Sequence, residues 1–151
     1  MIKPRVYLDS TTLITFVFGA CKEPEKFKDV EQIFNCEAEL VTSIYSLIEL
    51  YNFPIYNFEH NKRNIAKYGL LMVLSTDIEI APMLERGIKI IHSREFNMED
   101  KSDIPHAISA FIERCDYIVT FDSHFKTLTK IKSLTPAELL DLMESGDREK
   151  H

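Results

Sequence analysis

The sequence has little glycine, an odd handful of cysteines, no excess of basic charge and no long apolar run, and each shortage closes off a class of protein. With 4 Gly and 6 Pro in 151 residues, neither a disordered chain nor a repetitive, turn-rich all-β architecture is expected. Cys21, Cys36 and Cys115 are widely spaced and form no CxxC, so they read as reduced cytosolic thiols buried as small hydrophobes. The net charge of −6 lacks the basic footprint of a typical nucleic-acid binder. It does not exclude one, because acids that gather a metal ion lower the formal charge while creating a phosphate site. The strongest apolar run, Tyr68 to Leu74, is far too short to span a bilayer. The opening M-I-K-P-R-V-Y-L-D has no signal-peptide stretch and enters a strand at once. Ordinary hydrophobic (45%) and charged (28%) fractions complete the expectation of a soluble, cytoplasmic protein with no membrane contact. A single domain is expected over residues 1–145, with a charged tail at 146–151.

What is present is an alternation of short strands and helices. Arg5 to Leu8 reads as a strand ending at Asp9; Ser10-Thr11-Thr12 and an apolar helix follow, stopped by Gly19. Taken alone, Asp9 is as well explained as a helix cap. Glu23 to Cys36 is amphipathic, and Leu40-Val41-Thr42 is a second strand. Ser43 is placed to cap a helix whose inner stripe is Ile44, Leu47, Ile48 and Tyr51, with Glu49 at the edge of that stripe. Pro54 breaks or bends this helix. Lys62 to Leu74 continues as helix with Ile65, Tyr68, Met72 and Val73 inward; its cations read as a solvated face. Residues 77–98 are ambiguous, taken as a strand at Ile78-Glu79-Ile80 and a helix from Pro82. Ser102 to Cys115 is a helix with Pro105 in its first turn and Ile104, Ile108 and Phe111 on its core face. Tyr117 to Phe121 is a buried strand ending at Asp122. A short helix to Lys130, an edge strand at Ile131 to Leu134 and a helix from Pro136 to about Glu144 close the chain. This pattern predicts an α/β fold with a mostly parallel sheet.

Asp9 and Asp122 each follow an apolar strand, Asp103 opens the helix leading into the second of them, and Glu49 rides a helix just after strand two. A doubly wound sheet can bring all four to one rim. Each charged pair there would cost about 3 kcal/mol at ~5 Å and an effective dielectric of ~20. Such a cluster persists ionised with a dication, and all-oxygen donors select Mg²⁺ or Mn²⁺. Thr120 lies two residues before Asp122 in the same stretch.

These segments resemble the PIN-domain ribonucleases, the fold of the VapC-type toxins of toxin–antitoxin pairs. The matching stretches are Leu8-Asp9-Ser10-Thr11-Thr12, Ser43 to Leu50 around Glu49, Asp103-Ile104-Pro105-His106-Ala107 and Thr120-Phe121-Asp122-Ser123-His124-Phe125. The last two, in close succession, are the specific part, and the likeness spans about residues 5 to 140. It implies a three-layer α/β/α domain that hydrolyses RNA phosphodiesters with Mg²⁺ or Mn²⁺, leaving 5′-phosphate and 3′-hydroxyl ends. Asp9, Glu49, Asp103 and Asp122 would be the metal-binding acids, the three aspartates as direct or water-bridged ligands and Glu49 to orient or help deprotonate the attacking water. Thr120 would hydrogen-bond within the acidic pocket and reach a substrate phosphate. A small antitoxin and a second copy of the chain are the implied partners.

Ser123 and His124 stand where some members carry a further acid, which leaves one or two bound ions open. His106 and His124 are taken as supporting or packing residues, Asp116 as a turn residue, and Asp100 as a competitor of Asp103. The alternatives are an RNA-processing nuclease without antitoxin and a non-catalytic module that binds RNA or protein. A small-molecule phosphohydrolase fits less well, because Asp9-Ser10-Thr11-Thr12 has neither a second Asp two residues on nor phosphate-cradling glycines.

Overall fold

The computed structural model of the chain describes residues 3–149, and it orders the predicted apolar runs into one sheet. The strands are β1 (Arg5–Leu8), β2 (Glu39–Ser43), β3 (Glu79–Ala81), β4 (Tyr117–Val119) and β5 (Lys132–Leu134). All pair in parallel in the order β3-β2-β1-β4-β5. Tyr7 of β1 stands opposite Val41 on one side and Ile118 on the other. The chain winds outward from β1 through β2 to β3, then returns to β4 beside β1. The order reverses between β1 and β4, and crevices at the carboxyl ends of such strands are where open α/β sheets bind ligands.

Alternation along the strands divides the core into two layers. Val6, Leu8, Val119 and Leu134 face a layer made by helices α1 (Ser10–Lys22), α2 (Pro24–Phe34), α3 (Ile44–Asn57), α4 (Lys62–Leu74) and α7 (Pro136–Glu149). Tyr7, Val41 and Ile118 face the opposite layer, formed by α5 (Arg86–Ser93), α6 (Ile104–Ile112) and the buried Phe96 and Met98. This is the three-layer α/β/α arrangement that the resemblance implies, built on the parallel sheet that the alternation of elements predicts. No helix among the described residues is long and apolar enough to cross a membrane.

Several boundaries differ from the sequence reading for identifiable reasons. Gly19 lies inside α1 rather than ending it, where a Cβ would meet Thr15 Cγ2 at 3.0 Å and Phe27 Cβ of α2 at 3.7 Å. Pro54 sits within the last turn of α3, so its missing N–H removes one bond near a helix end and the helix runs on three residues. The helix expected from Pro82 begins at Arg86. The segment before Lys130 is a 3-10 turn, Ser123–Thr127. Helix α7 continues to Glu149, five residues beyond the expected end; residues 150 and 151 of the expected tail lie outside the described residues. Ile48, Tyr68 and Phe111, all assigned inward, are exposed. Of the thiols expected to be buried, Cys21 is exposed and Cys36 and Cys115 are only partly covered.

Candidate active site at the carboxyl edge of the sheet

The site begins where β1 stops. Asp9 caps α1 by accepting the Thr12 N–H at 3.2 Å, so the capping role is real, but it occupies one carboxylate oxygen only. The same Oδ1 accepts the Thr11 and Thr12 hydroxyls at 2.7 and 3.2 Å, and Oδ2 accepts the Thr120 hydroxyl at 2.5 Å. The threonines after Asp9 hold a buried carboxylate at the β1–β4 crevice. Burial pushes its pKa up, opposed by the Thr120, Thr11 and Thr12 hydrogen bonds.

Thr120 is itself buried, and its single proton is committed to Asp9 while its oxygen accepts the Asp122 N–H at 2.9 Å. The hydroxyl couples the ends of β1 and β4. Asp122 caps the following turn by accepting the His124 N–H at 2.9 Å. Asp103 enters from the other direction, at the end of a 3-10 turn (Lys101–Asp103) that leads straight into α6. Its side chain is 13% exposed, and its Oδ2 is buried with no hydrogen-bond partner among the described residues. Burial first, then the neighbouring Asp122 and Asp100 charges, push the Asp103 pKa up to about 6.

Two residues set aside in the sequence also reach this place. Asp100 accepts the Ser102 N–H and hydroxyl at 2.9 and 2.7 Å, and one ligand atom each from Asp100, Asp103 and His124 lies within 4.8 Å of the others. His124, half exposed, holds Nδ1 3.3 Å from Asp122 and 3.7 Å from Asp103. Asp116 stays away; it clasps Arg5 at the far edge of the sheet.

Glu49 flanks this cluster on α3. Its Oε2 accepts the Ser10 hydroxyl and its Oε1 lies 2.9 Å from His106 Nε2. Burial raises its pKa, but the His106 and Ser10 hydrogen bonds outweigh that and hold the carboxylate below its ordinary range. Its side chain remains 43% exposed. Ser43 does not cap α3 with its side chain; its hydroxyl turns instead to the Tyr7 phenol at 2.6 Å. Ser10, Tyr7 and Ser43 carried no sequence signal as site residues, because their partners are distant in the chain.

The donors are carboxylate oxygens with one imidazole at the rim, and none of the acids is paired with Lys or Arg among the described residues. A buried, unpartnered Asp103 oxygen beside other carboxylates is an unmet demand for positive charge. That chemistry fits a hard divalent ion. Lys126 lines the slot that contains Thr120 and Asp122, whereas Lys130 pairs with Glu95 at 3.4 Å.

No family model and no curated protein matches the sequence. Solved structures do match. VapBC2 from Rickettsia felis, bound to a DNA fragment from its promoter, aligns at 15% identity and TM-score 0.63 over 87% of this chain and 98% of that one. VapC20 from Mycobacterium tuberculosis, a sarcin-ricin loop cleaving toxin, aligns at 10% identity and TM-score 0.63 over 84% and 98%. DNA-bound VapBC from Salmonella typhimurium aligns at 17% identity and TM-score 0.62 over 90% and 99%. The likeness is one of fold: this chain has the three-layer, parallel-sheet PIN-like architecture of those chains.

Proposed function

We propose that the protein is a metal-dependent endoribonuclease that hydrolyses RNA phosphodiester bonds, acting as the toxin of a VapBC-type toxin–antitoxin pair. The observation that carries this reading is the buried Asp103 Oδ2, set among Asp122, Asp100 and Asp9, which among the described residues has no hydrogen-bond partner and no Lys or Arg, only the His124 imidazole at 3.7 Å. The choice of polymer rests on the fold likeness to a toxin described as cleaving the sarcin-ricin loop, and the antitoxin partner on the likeness to VapBC pairs. A second copy of the chain and a cytoplasmic setting belong to the same proposal.

Asp103 and Asp122 would hold Mg²⁺ or Mn²⁺, with Asp9, whose Oδ2 accepts only the Thr120 hydroxyl, contributing through that oxygen's remaining lone pair or a bridging water. Glu49 completes the acidic set from the flank, and Asp100 and His124 stand close enough to add to it. When bound, the ion neutralises the mutual repulsion of the acids and the charge developing on a scissile phosphate. Glu49, ionised and half exposed, orients the attacking water and accepts its proton. Thr120 keeps Asp9 aligned with the Asp122 backbone, and Lys126 faces the slot from which a phosphate would approach.

The test is cleavage of a labelled, structured RNA pool with Mg²⁺, Mn²⁺ or EDTA, beside Asp9→Asn and Asp122→Asn. Metal-dependent cuts with 5′-phosphate ends that vanish in both variants support the nuclease. RNA binding that is equal in EDTA and in Asp9→Asn, with no cutting, would replace it with a binding module.

A further inference from the structure

A buried polar chain runs beneath the acidic rim and ends on Glu49. It starts on β1, where strand alternation turns Tyr7 away from Leu8 and into the layer below α6. The Tyr7 hydroxyl, fully buried, lies 2.6 Å from Ser43 Oγ, 3.1 Å from Ser46 Oγ and 2.7 Å from His106 Nδ1. Ser46 Oγ also lies 3.2 Å from that Nδ1. The other nitrogen of His106 touches Glu49 Oε1 at 2.9 Å. His106 is 1% exposed, so no bulk water can substitute for these partners.

Donor and acceptor capacities give the chain a direction. An ionised carboxylate only accepts, so the His106 proton toward Glu49 resides on Nε2. In a neutral imidazole Nδ1 is then an acceptor, and the Tyr7 O–H is the donor that faces it. The phenol oxygen in turn accepts from the Ser43 hydroxyl. The order is Ser43 to Tyr7 to His106 to Glu49, each O–H or N–H pointing toward the site. From the opposite side Ser10 donates to Glu49 Oε2. A long, half-exposed glutamate is thereby held at both oxygens.

We propose that Tyr7 and His106 are positioning residues for Glu49: Tyr7, donating to Nδ1, reinforces the Nε2–H tautomer that the Glu49 carboxylate requires, and His106 holds that carboxylate in the orientation its work on the attacking water requires. This rests on the nuclease reading for the role of Glu49, but the tautomer is a property of the protein without substrate. A histidine that merely fills the core would be indifferent to which nitrogen carries the proton.

The experiment follows the ring nitrogens of ¹⁵N-labelled protein by NMR near neutral pH, with the His106 signals assigned by their absence in His106→Leu. The wild type is expected to show protonated Nε2 and bare Nδ1. Tyr7→Phe, which removes one oxygen and keeps the ring, is expected to shift the bare Nδ1 signal, because that nitrogen keeps only the Ser46 hydroxyl at 3.2 Å. On a labelled RNA hairpin with an unpaired loop in Mn²⁺, the same variant should lower kcat about 10–100-fold, the usual range for groups that orient an inner ligand, with KM unchanged. His106→Gln, which keeps an N–H donor, should retain more activity than His106→Leu. A wild-type His106 protonated on Nδ1 would overturn the proposal. So would unaltered ring signals and kcat in Tyr7→Phe, or full activity in His106→Leu. If the wild type cuts no RNA, the nuclease reading fails, and the ring-nitrogen spectrum still decides the tautomer.

Discussion

The two edges of the one sheet carry acid clusters of similar composition and opposite electrostatics. At the amino edge, Arg5 reaches Glu79 at 2.8 Å, Glu39 at 3.4 Å and Glu113 at 3.3 Å, and its backbone exchanges hydrogen bonds with Asp116. The Arg5 guanidinium holds the Glu79 carboxyl below its ordinary range. At the carboxyl edge the acids have no such partner among the described residues, and Asp103 is pushed up to about 6. Space and charge point in different directions: a cleft of about 790 Å³ opens beside Arg5, against about 80 Å³ beside Thr120 and Asp122. Charge is the better guide here. A cleft over a self-compensated network offers a ligand no unmet interaction, whereas a small slot walled by Asp122, beside the other acids of the carboxyl edge, does.

Neutralising acids edge by edge should give the largest contrast. Asp122→Asn or Glu49→Gln is expected to slow RNA cleavage by about 10²–10⁴-fold, while Glu79→Gln leaves the initial rate on the same hairpin unchanged. Equal losses at both edges would mean that the variants act through folding, and the distinction would collapse. Next in size is the response to metal. Mn²⁺ at about 100 times its dissociation constant should stabilise the wild type by about 2.7 kcal/mol over EDTA, read as a higher midpoint in thermal unfolding. Asp103→Asn should lose most of that shift. A wild-type midpoint that ignores Mn²⁺ would remove the argument from unmet charge.

The contrast between the edges was only partly legible in the sequence. Asp9 and Asp122 stand out because apolar strands stop abruptly at them, and strand ends in a parallel sheet share an edge. Asp103 stands out through its place at a helix start. Asp100 and His124 stand out less, as a competitor of Asp103 and a supporting residue, since their approach depends on how one turn folds over another. The Tyr7–His106–Glu49 chain does not stand out: Tyr7 reads as an ordinary strand aromatic, and only three-dimensional pairing shows where its hydroxyl goes. The exposed Ile48, Tyr68 and Phe111 teach the same lesson for the core. Helical periodicity gives a face, and not what covers it.

The pH dependence of the metal-free protein tests the unpaired edge directly. The unfolded Asp103 ionises near 3.8, the folded one near 6. The folded state therefore binds the extra proton between these values, so stability is highest below pH ~3.8 and falls as pH rises through ~6. The full shift corresponds to about 3 kcal/mol, cut to about 1–2 kcal/mol because solvent reaches part of the Asp103 side chain and of Asp122 beside it. Urea unfolding in EDTA at pH 4, 5, 6 and 7 should show this decline superposed on the other groups, and Asp103→Asn should flatten it. A slope identical in the variant would assign the decline elsewhere.

The smallest effect probes the compensated edge. Arg5→Met removes three ionic contacts whose glutamate partners are half to a quarter exposed, so each is worth little. It also removes the Nε–H bond to the Glu113 carbonyl at 2.7 Å, for a total loss of about 1–2 kcal/mol in urea unfolding. The variant leaves the amino edge as an uncompensated acid cluster in its turn. No Mn²⁺ site should arise there, because Glu39 and Glu79 are exposed and can swing apart into water, unlike the carboxylates fixed by threonines and turns at the other edge. Double substitution with Asp103→Asn makes this readable: renewed stabilisation by Mn²⁺ in Arg5→Met/Asp103→Asn would show that unpaired charge alone makes a site. Continued indifference to Mn²⁺ would show that the carboxyl edge owes its chemistry equally to the rigidity with which Asp9 and Asp122 are held.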